Sequence, residues 1–262
     1  ASADEVAADG AAAVQAALAP PGQVATLILP ADTAWNRTAR PPAAPLPRLT
    51  PVAVDLAQVD AIAQVLRRRE PAVLLMNGLL SAERLALAQR IASRCGARLV
   101  CDTFVARQQR GAGRAEALRL PYFGEQAAQL LAGTRHLVLV GTQPPVTFFA
   151  YPGKPNWLTP EGCALHTLAG PAGDIDGALQ ALAQAVGIRD TPAELAPLQR
   201  PDAPTGPLTP RSIGQAIAHH FPDDAIVVDE AGTSGAGVTQ ATRGAPPHCV
   251  RARRPRRRSA CP

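Results

Sequence analysis

Through the middle of this chain, short continuous apolar runs alternate with stretches whose apolar residues return every three to four positions. Leu56, Val59, Ile62, Ala63 and Leu66 share one face of a helix that Asp55 can cap and Pro71 stops. Residues 72–76, AVLLM, follow as an unbroken apolar strand, the pattern of a strand covered on both faces. Asn77-Gly78 turns the chain, and Ser81 can cap the next helix, which carries Glu83 in its acid-favouring first turn and runs to about residue 94. The unit then repeats: a strand at 98–101, a long loop with Gly111 and Gly113, a short helix at 125–131 and a buried strand at 136–140, HLVLV. A loop rich in proline and aromatic residues leads to a strand at 163–168 and a closing amphipathic helix at 175–186. This alternation predicts parallel βαβ units in a doubly wound, Rossmann-like α/β domain over residues 55–188, with six strands or a similar number.

The flanks read as partial α/β units. Residues 4–19 predict a helix that stops at Pro20-Pro21-Gly22, and 24–29 is an apolar run of strand length. One helix and one strand cannot bury both of their faces, so the unit at 1–38 is expected to lean on further structure. Proline-rich linkers cover 39–54 and 189–208. After the second, Thr209-Pro210 opens a helix to about residue 220, a strand follows at 225–228, and 229–235 is the loop at its carboxyl end. Beyond this second partial unit, 209–250, the periodicity fades into a basic tail at 251–262.

Charge changes this picture little. The net charge is +5, but six arginines fall within residues 251–258; without them 20 basic residues face 21 acidic ones, and the body is close to neutral. A basic tail of this kind can bind phosphate backbones, yet a solvated or out-of-frame end explains it more simply, so no nucleic-acid partner is expected. Five cysteines, an odd number without any CxxC pair, point to a reducing compartment, and Cys95, Cys101 and Cys163 read as small core residues. No signal peptide and no membrane-length apolar run is present, so a cytoplasmic location is expected, with no membrane contact.

Candidate chemistry is sparse. Gly111-Ala112-Gly113 supplies two glycines of a dinucleotide fingerprint, but Glu116 stands where the third belongs and no strand runs directly into it. The stretch 141–160, GTQPPVTFFAYPGKPNWLTP, concentrates Phe148, Phe149, Tyr151, Trp157 and Lys154 at the carboxyl end of a strand, and packing against neighbouring units is its expected role. Histidines 136, 166, 219, 220 and 248 show no metal-ligand spacing, Ser81 and Ser234 lie outside any nucleophile elbow, and no carboxylate dyad stands out. No catalytic residue and no metal ligand is therefore assigned. Small and hydroxyl residues in the loop 229–235 could cradle a phosphate, although a plain strand–helix connection explains them as well.

The order of these pieces resembles the thiamine-diphosphate-dependent enzymes, near the acetolactate synthase large subunit and benzoylformate decarboxylase groups. VATLILPAD after Pro-Pro-Gly looks like the close of their pyrimidine-binding domain. PAVLLMNGLLSAERLALAQRIASRCGARLVCDTF and RHLVLVGTQPPVTFFAYPGKP resemble their central domain, and TPRSIGQAIAHHFPDDAIVVDEAGTSG the start of their diphosphate-binding domain. The resemblance implies an internal fragment of an enzyme that decarboxylates a 2-keto acid or joins it to a second carbonyl compound, working as a dimer or tetramer. The hard chemistry in such an enzyme belongs to thiamine diphosphate with Mg2+. It also implies that Glu230, Gly232, Thr233 and Ser234 occupy positions that approach the diphosphate or line the site. The family's activating glutamate and its G-D-G…N motif have no counterpart in these 262 residues, so the chain alone is expected to be inert. GTQPPVTFF stands where acetolactate synthases carry an arginine- and aspartate-rich segment, which argues against FAD. A nucleotide- or flavin-binding module without catalysis is the alternative.

Overall fold

The apolar runs become strands of a parallel sheet because helices and loops cover both of its faces. A computed structural model describes residues 2–150, 152–188, 192–230 and 235–252. Two helices, α1 (Val6–Leu18) and α2 (Ala31–Trp35), precede the central domain. There the order is α3 (Leu56–Arg67), β1 (Ala72–Met76), β2 (Leu79–Leu80), α4 (Ala82–Cys95), β3 (Arg98–Cys101), β4 (Arg107–Arg110) and β5 (Leu118–Arg119). It continues with α5 (Gly124–Leu131), β6 (His136–Val140), β7 (Ala164–Ala169) and α6 (Ile175–Ala185). The last elements are α7 (Pro210–His219), β8 (Ile226–Asp229), α8 (Ala236–Ala241) and β9 (His248–Ala252).

The main sheet has the order β5-β3-β1-β6-β7, with every pair parallel. Successive side chains of a strand alternate between faces, so a run such as AVLLM feeds two cores. Leu74 and Met76 join Ile62 and Leu66 of α3, Leu85 and Ile91 of α4, and Leu179 and Leu182 of α6 on one face. Val73 and Leu75 join Leu137 and Leu139, covered by Ala127 and Leu131 of α5 and by Leu158, on the other. Side-chain caps fix where the helices begin. Asp55 accepts from the N–H groups of Ala57 and Gln58, Ser81 from Arg84, and Thr209 from Ser212 in a reciprocal capping box.

The main sheet has five strands, within the expectation of six or a similar number. After α6, the described residues of the second proline-rich stretch form an isolated bridge, Leu195 to Ala115, and add no strand to the main sheet. The strand expected at 24–29 does not form: these residues have no ladder partner among the described residues, and Val24 and Ile28 are 86% and 81% exposed. Without a neighbouring edge, the backbone groups of such a run have no sheet to join. α1 buries none of its residues, so this first unit has no core of its own.

A second sheet, β2-β4-β9-β8, was not expected. β4 has the sequence RQQR and lies inside the stretch read as a loop; it pairs antiparallel with β9, which pairs parallel with β8. Arg251 and Ala252, assigned above to the basic tail, are the end of β9, while 253–262 lie outside the described residues. Cys95 and Cys101 are buried as expected. Cys163 is only partly so, and the residues that follow it at the start of β7 are exposed. Among the described residues no helix is long and apolar enough to cross a membrane.

Candidate functional site at the carboxyl ends of the strands

A doubly wound sheet opens a crevice where its strand order reverses, at the carboxyl ends of two neighbouring strands. Here that point lies between β1 and β6. Three polar side chains just beyond the strands meet there. Asn77 Nδ2 donates to Asp102 Oδ2 at 2.9 Å, and Thr142 Oγ1 donates to the same oxygen at 2.6 Å. The network ties the ends of β1, β3 and β6 together. Ile175, the first residue of α6, fills the space above it: a Cβ on Gly141 would stand 2.5 Å from Ile175 Cδ1 and 3.0 Å from the Asn77 carbonyl oxygen. Gly141 also holds a φ of +70°, which favours glycine. The glycine of this turn thus admits an isoleucine, and no glycine-lined opening remains there for a diphosphate.

The Gly111-Ala112-Gly113 turn serves a different purpose from the one a fingerprint would give it. Ala112 N–H donates to the Ala245 carbonyl and Gly113 N–H to that of Ala196, each at 2.8 Å. Backbone, not phosphate, is what these glycines let approach.

Aromatic rings line the same edge of the sheet. Phe104, after β3, meets Phe148, after β6, edge-on at 5.0 Å between centroids, and Tyr122, after β5, stacks on Phe148 at 5.2 Å. Phe123 and Phe149 also touch Tyr122. Packing was the expected role of the aromatics in 141–160; Phe148 and Phe149 pack on rings of this domain and stay about half exposed. Phe104 and Tyr122 were not singled out, although each is an aromatic placed shortly after a strand. A cavity of about 200 Å³ lies nearby, lined by Ala128, Thr147, Phe149, Pro155 and Leu158, with the Lys154–Glu125 ion pair at its rim. A larger cleft, about 610 Å³, lies beyond β7; its acids Asp55 and Asp174 are both engaged as helix caps.

Of the four residues that the resemblance assigns to the diphosphate, only Glu230 is described; it is exposed and follows β8 directly. Gly232, Thr233 and Ser234 lie outside the described residues. Magnesium takes several oxygen ligands. Among the described residues no three His, Cys, Asp or Glu side chains are grouped as a metal site requires.

The histidines form hydrogen bonds that spacing alone did not reveal. At the amino end of the main sheet, His136 lies between Glu70 and His166, 3.2 Å from Glu70 Oε2 through Nε2 and 3.1 Å from His166 Nε2 through Nδ1. Burial, then the neighbouring His136, lowers the His166 pKa. His248 in β9 places Nδ1 2.8 Å from the Pro246 carbonyl oxygen, while its Nε2 is buried without a partner. Burial lowers its pKa too, with Arg110 adding to the effect and the Pro246 carbonyl opposing it. Both folded-state values lie below the ordinary 6.5, so the unfolded chain binds more protons as the solution becomes acidic. Their contribution to stability is complete above about pH 6.5 and is lost as pH falls below it. The urea midpoint should therefore drop between about pH 7 and pH 5. Replacing His248 by glutamine should flatten part of that drop; an unchanged slope in the variant would contradict this account.

The fold is that of thiamin diphosphate-dependent enzymes. Over 96% of its length the chain superposes on a "putative thiamin diphosphate-dependent enzyme" from Mycobacterium smegmatis with a TM-score of 0.68 and 23% identity, covering 52% of that protein. Benzoylformate decarboxylase from Polynucleobacter necessarius gives a TM-score of 0.61 at 16% identity, with 96% of this chain and 50% of that one covered. In sequence, an alignment that covers 93% of the chain is 46% identical to the protein named "Putative acetolactate synthase large subunit IlvX" of Mycobacterium tuberculosis (strain ATCC 25618 / H37Rv), covering 47% of it. The chain is thus a homologue of an acetolactate synthase large subunit-like protein, and it spans about half the length of the relatives it matches. No protein-family model matches it.

Proposed function

We propose that these residues form the central domain, with parts of its two neighbours, of a thiamine-diphosphate- and Mg2+-dependent enzyme that decarboxylates a 2-keto acid or ligates it to a second carbonyl compound. The observation that carries this reading is the 46% identity over 93% of the chain, which runs through all three predicted units. The central domain supplies the sheet, and the backbone turn after Gly111 joins it to the C-terminal unit through the Ala112–Ala245 hydrogen bond. Diphosphate contact belongs to Glu230 and the residues after it. In the cell the protein is cytoplasmic and assembles as a homodimer or tetramer.

By itself the 262-residue chain is expected to turn over no 2-keto acid, because the resemblance gives its residues no counterpart of the family's activating glutamate or G-D-G…N motif. The test is to add thiamine diphosphate, Mg2+ and pyruvate or benzoylformate to the purified chain and follow carbon dioxide release. No release above the protein-free blank is expected, and steady turnover would overturn the claim of inertness. An absorbance scan after dialysis accompanies it. A flavin band retained by the chain would replace this reading with a flavin-binding one.

A further inference from the structure

Arg119, at the carboxyl edge of the central sheet and partly buried, and Arg110, in the second sheet and almost wholly buried, have little negative charge around them. Arg119 ends β5, and the β3–β5 register sets it opposite Cys101. Its Nε is buried and has no hydrogen-bond partner, and no described carboxylate forms an ion pair with it. Arg110 ends β4 in the second sheet, and its side chain is only 11% exposed. It donates to the Thr239 carbonyl at 2.9 Å, and among the described residues the carboxylate that faces it is Glu116, at 4.0 Å. Glu116 is committed elsewhere, 2.5 Å from Arg243. Asp102, the nearest acid along β3, is held by Asn77 and Thr142. Cys101, near both guanidinium groups, cannot serve as the missing anion: burial pushes its thiol up to about 11, so it stays protonated at neutral pH. Burial, then the neighbouring Arg119, lowers the pKa of Arg110, which is the response of a cation with too little negative charge around it.

Buried cations are paired or bind anions, because removing a guanidinium from water without a partner is costly. A planar fork of N–H groups also fits carboxylate and phosphate oxygens in pairs. We propose that Arg110 and Arg119 form an anion-binding site between the two sheets, one that takes the phosphate or carboxylate group of a small ligand. The site does not depend on the reading given under Proposed function. The chemistry shared by the two sources is an oxyanion that accepts from both guanidinium groups.

The test uses the full chain at low ionic strength, with calorimetric titration and thermal unfolding as readouts. Inorganic phosphate and acetate are the two probes, with chloride at matched ionic strength as the reference. At least one probe should bind saturably and raise the unfolding temperature beyond the effect of chloride. A response to phosphate alone assigns the site to phosphate groups, and a response to acetate assigns it to carboxylates. Arg119→Gln should weaken binding about tenfold or more, while Arg119→Lys, which keeps the charge and loses the fork, should fall between. Arg135→Gln, an exposed arginine beside Glu70 at the other end of the sheet, should bind as the unaltered chain does. Without anion, Arg119→Gln should unfold no earlier than the unaltered chain, because it removes an uncompensated charge. The proposal is overturned if neither probe exceeds chloride, if both Arg119 variants bind normally, or if Arg119→Gln is destabilised in anion-free buffer.

Discussion

Alanine at position 111 releases β9 from the central domain while leaving the five-stranded sheet folded. Gly111 has a φ of +98°, and a Cβ there would lie 2.5 Å from the Pro246 carbonyl oxygen, 2.7 Å from that of Ala245 and 2.9 Å from His248 Nδ1. Two of these three atoms are backbone, so no side-chain rotation relieves the contact. A non-glycine residue in that backbone region costs about 1–3 kcal/mol, and overpacking adds a similar amount, about 1–3 kcal/mol. The strain is relieved most cheaply by moving 245–248 away, which breaks the Ala112–Ala245 hydrogen bond and the β4–β9 pairing. Hydrogen exchange should show lost amide protection across Ile226–Asp229 and His248–Ala252, with protection in Ala72–Met76 and His136–Val140 retained. Retained protection in β9 of Gly111→Ala would show that the glycine is not what joins the units.

The second large effect concerns the sheet itself. Leu74 is fully buried at the middle of β1, the central strand, between α3, α4 and α6. Its replacement by alanine removes buried methyl groups and leaves a cavity under α3, α4 and α6, at a cost of about 2–5 kcal/mol. Native domains of this kind are stable by only about 5–15 kcal/mol, so the urea midpoint should fall by a large fraction of its value. Leu56 is the comparison, because it sits at the start of α3 and is 64% exposed. Leu56→Ala should shift the midpoint little, and equal shifts for the two variants would rule out burial as the cause.

Legibility in the sequence followed burial. The strands at 72–76, 98–101 and 136–140 were readable because both of their faces are covered, which leaves an unmistakable apolar run. Asp55, Ser81 and Thr209 announced their helices because a cap is a local hydrogen bond, made within three residues. β4 and β9 gave no such signal. Their partners lie far away in sequence, and Arg107, Gln109 and Arg110 carry polar side chains on both sides of the strand. At 24–29 the error ran the other way, since apolar character can be read locally and a ladder partner cannot. The candidate site was less legible than the fold. Nothing in the spacing of Asn77, Asp102 and Thr142, or of Arg110 and Arg119, shows that the sheet order brings them together.

The position of β9 between β4 and β8 also sets an order of assembly. The main sheet closes through βαβ steps between neighbours in sequence, whereas the second sheet must join Arg107 to Arg251 across most of the intervening chain. Loop-closure entropy has to be met before that pairing gives anything back, and contacts of long sequence separation form slowly. During synthesis the five-stranded sheet can therefore form on the ribosome while the edge of β4 stays open. That edge remains a bare template for any passing strand until residues 248–252 emerge and cover it.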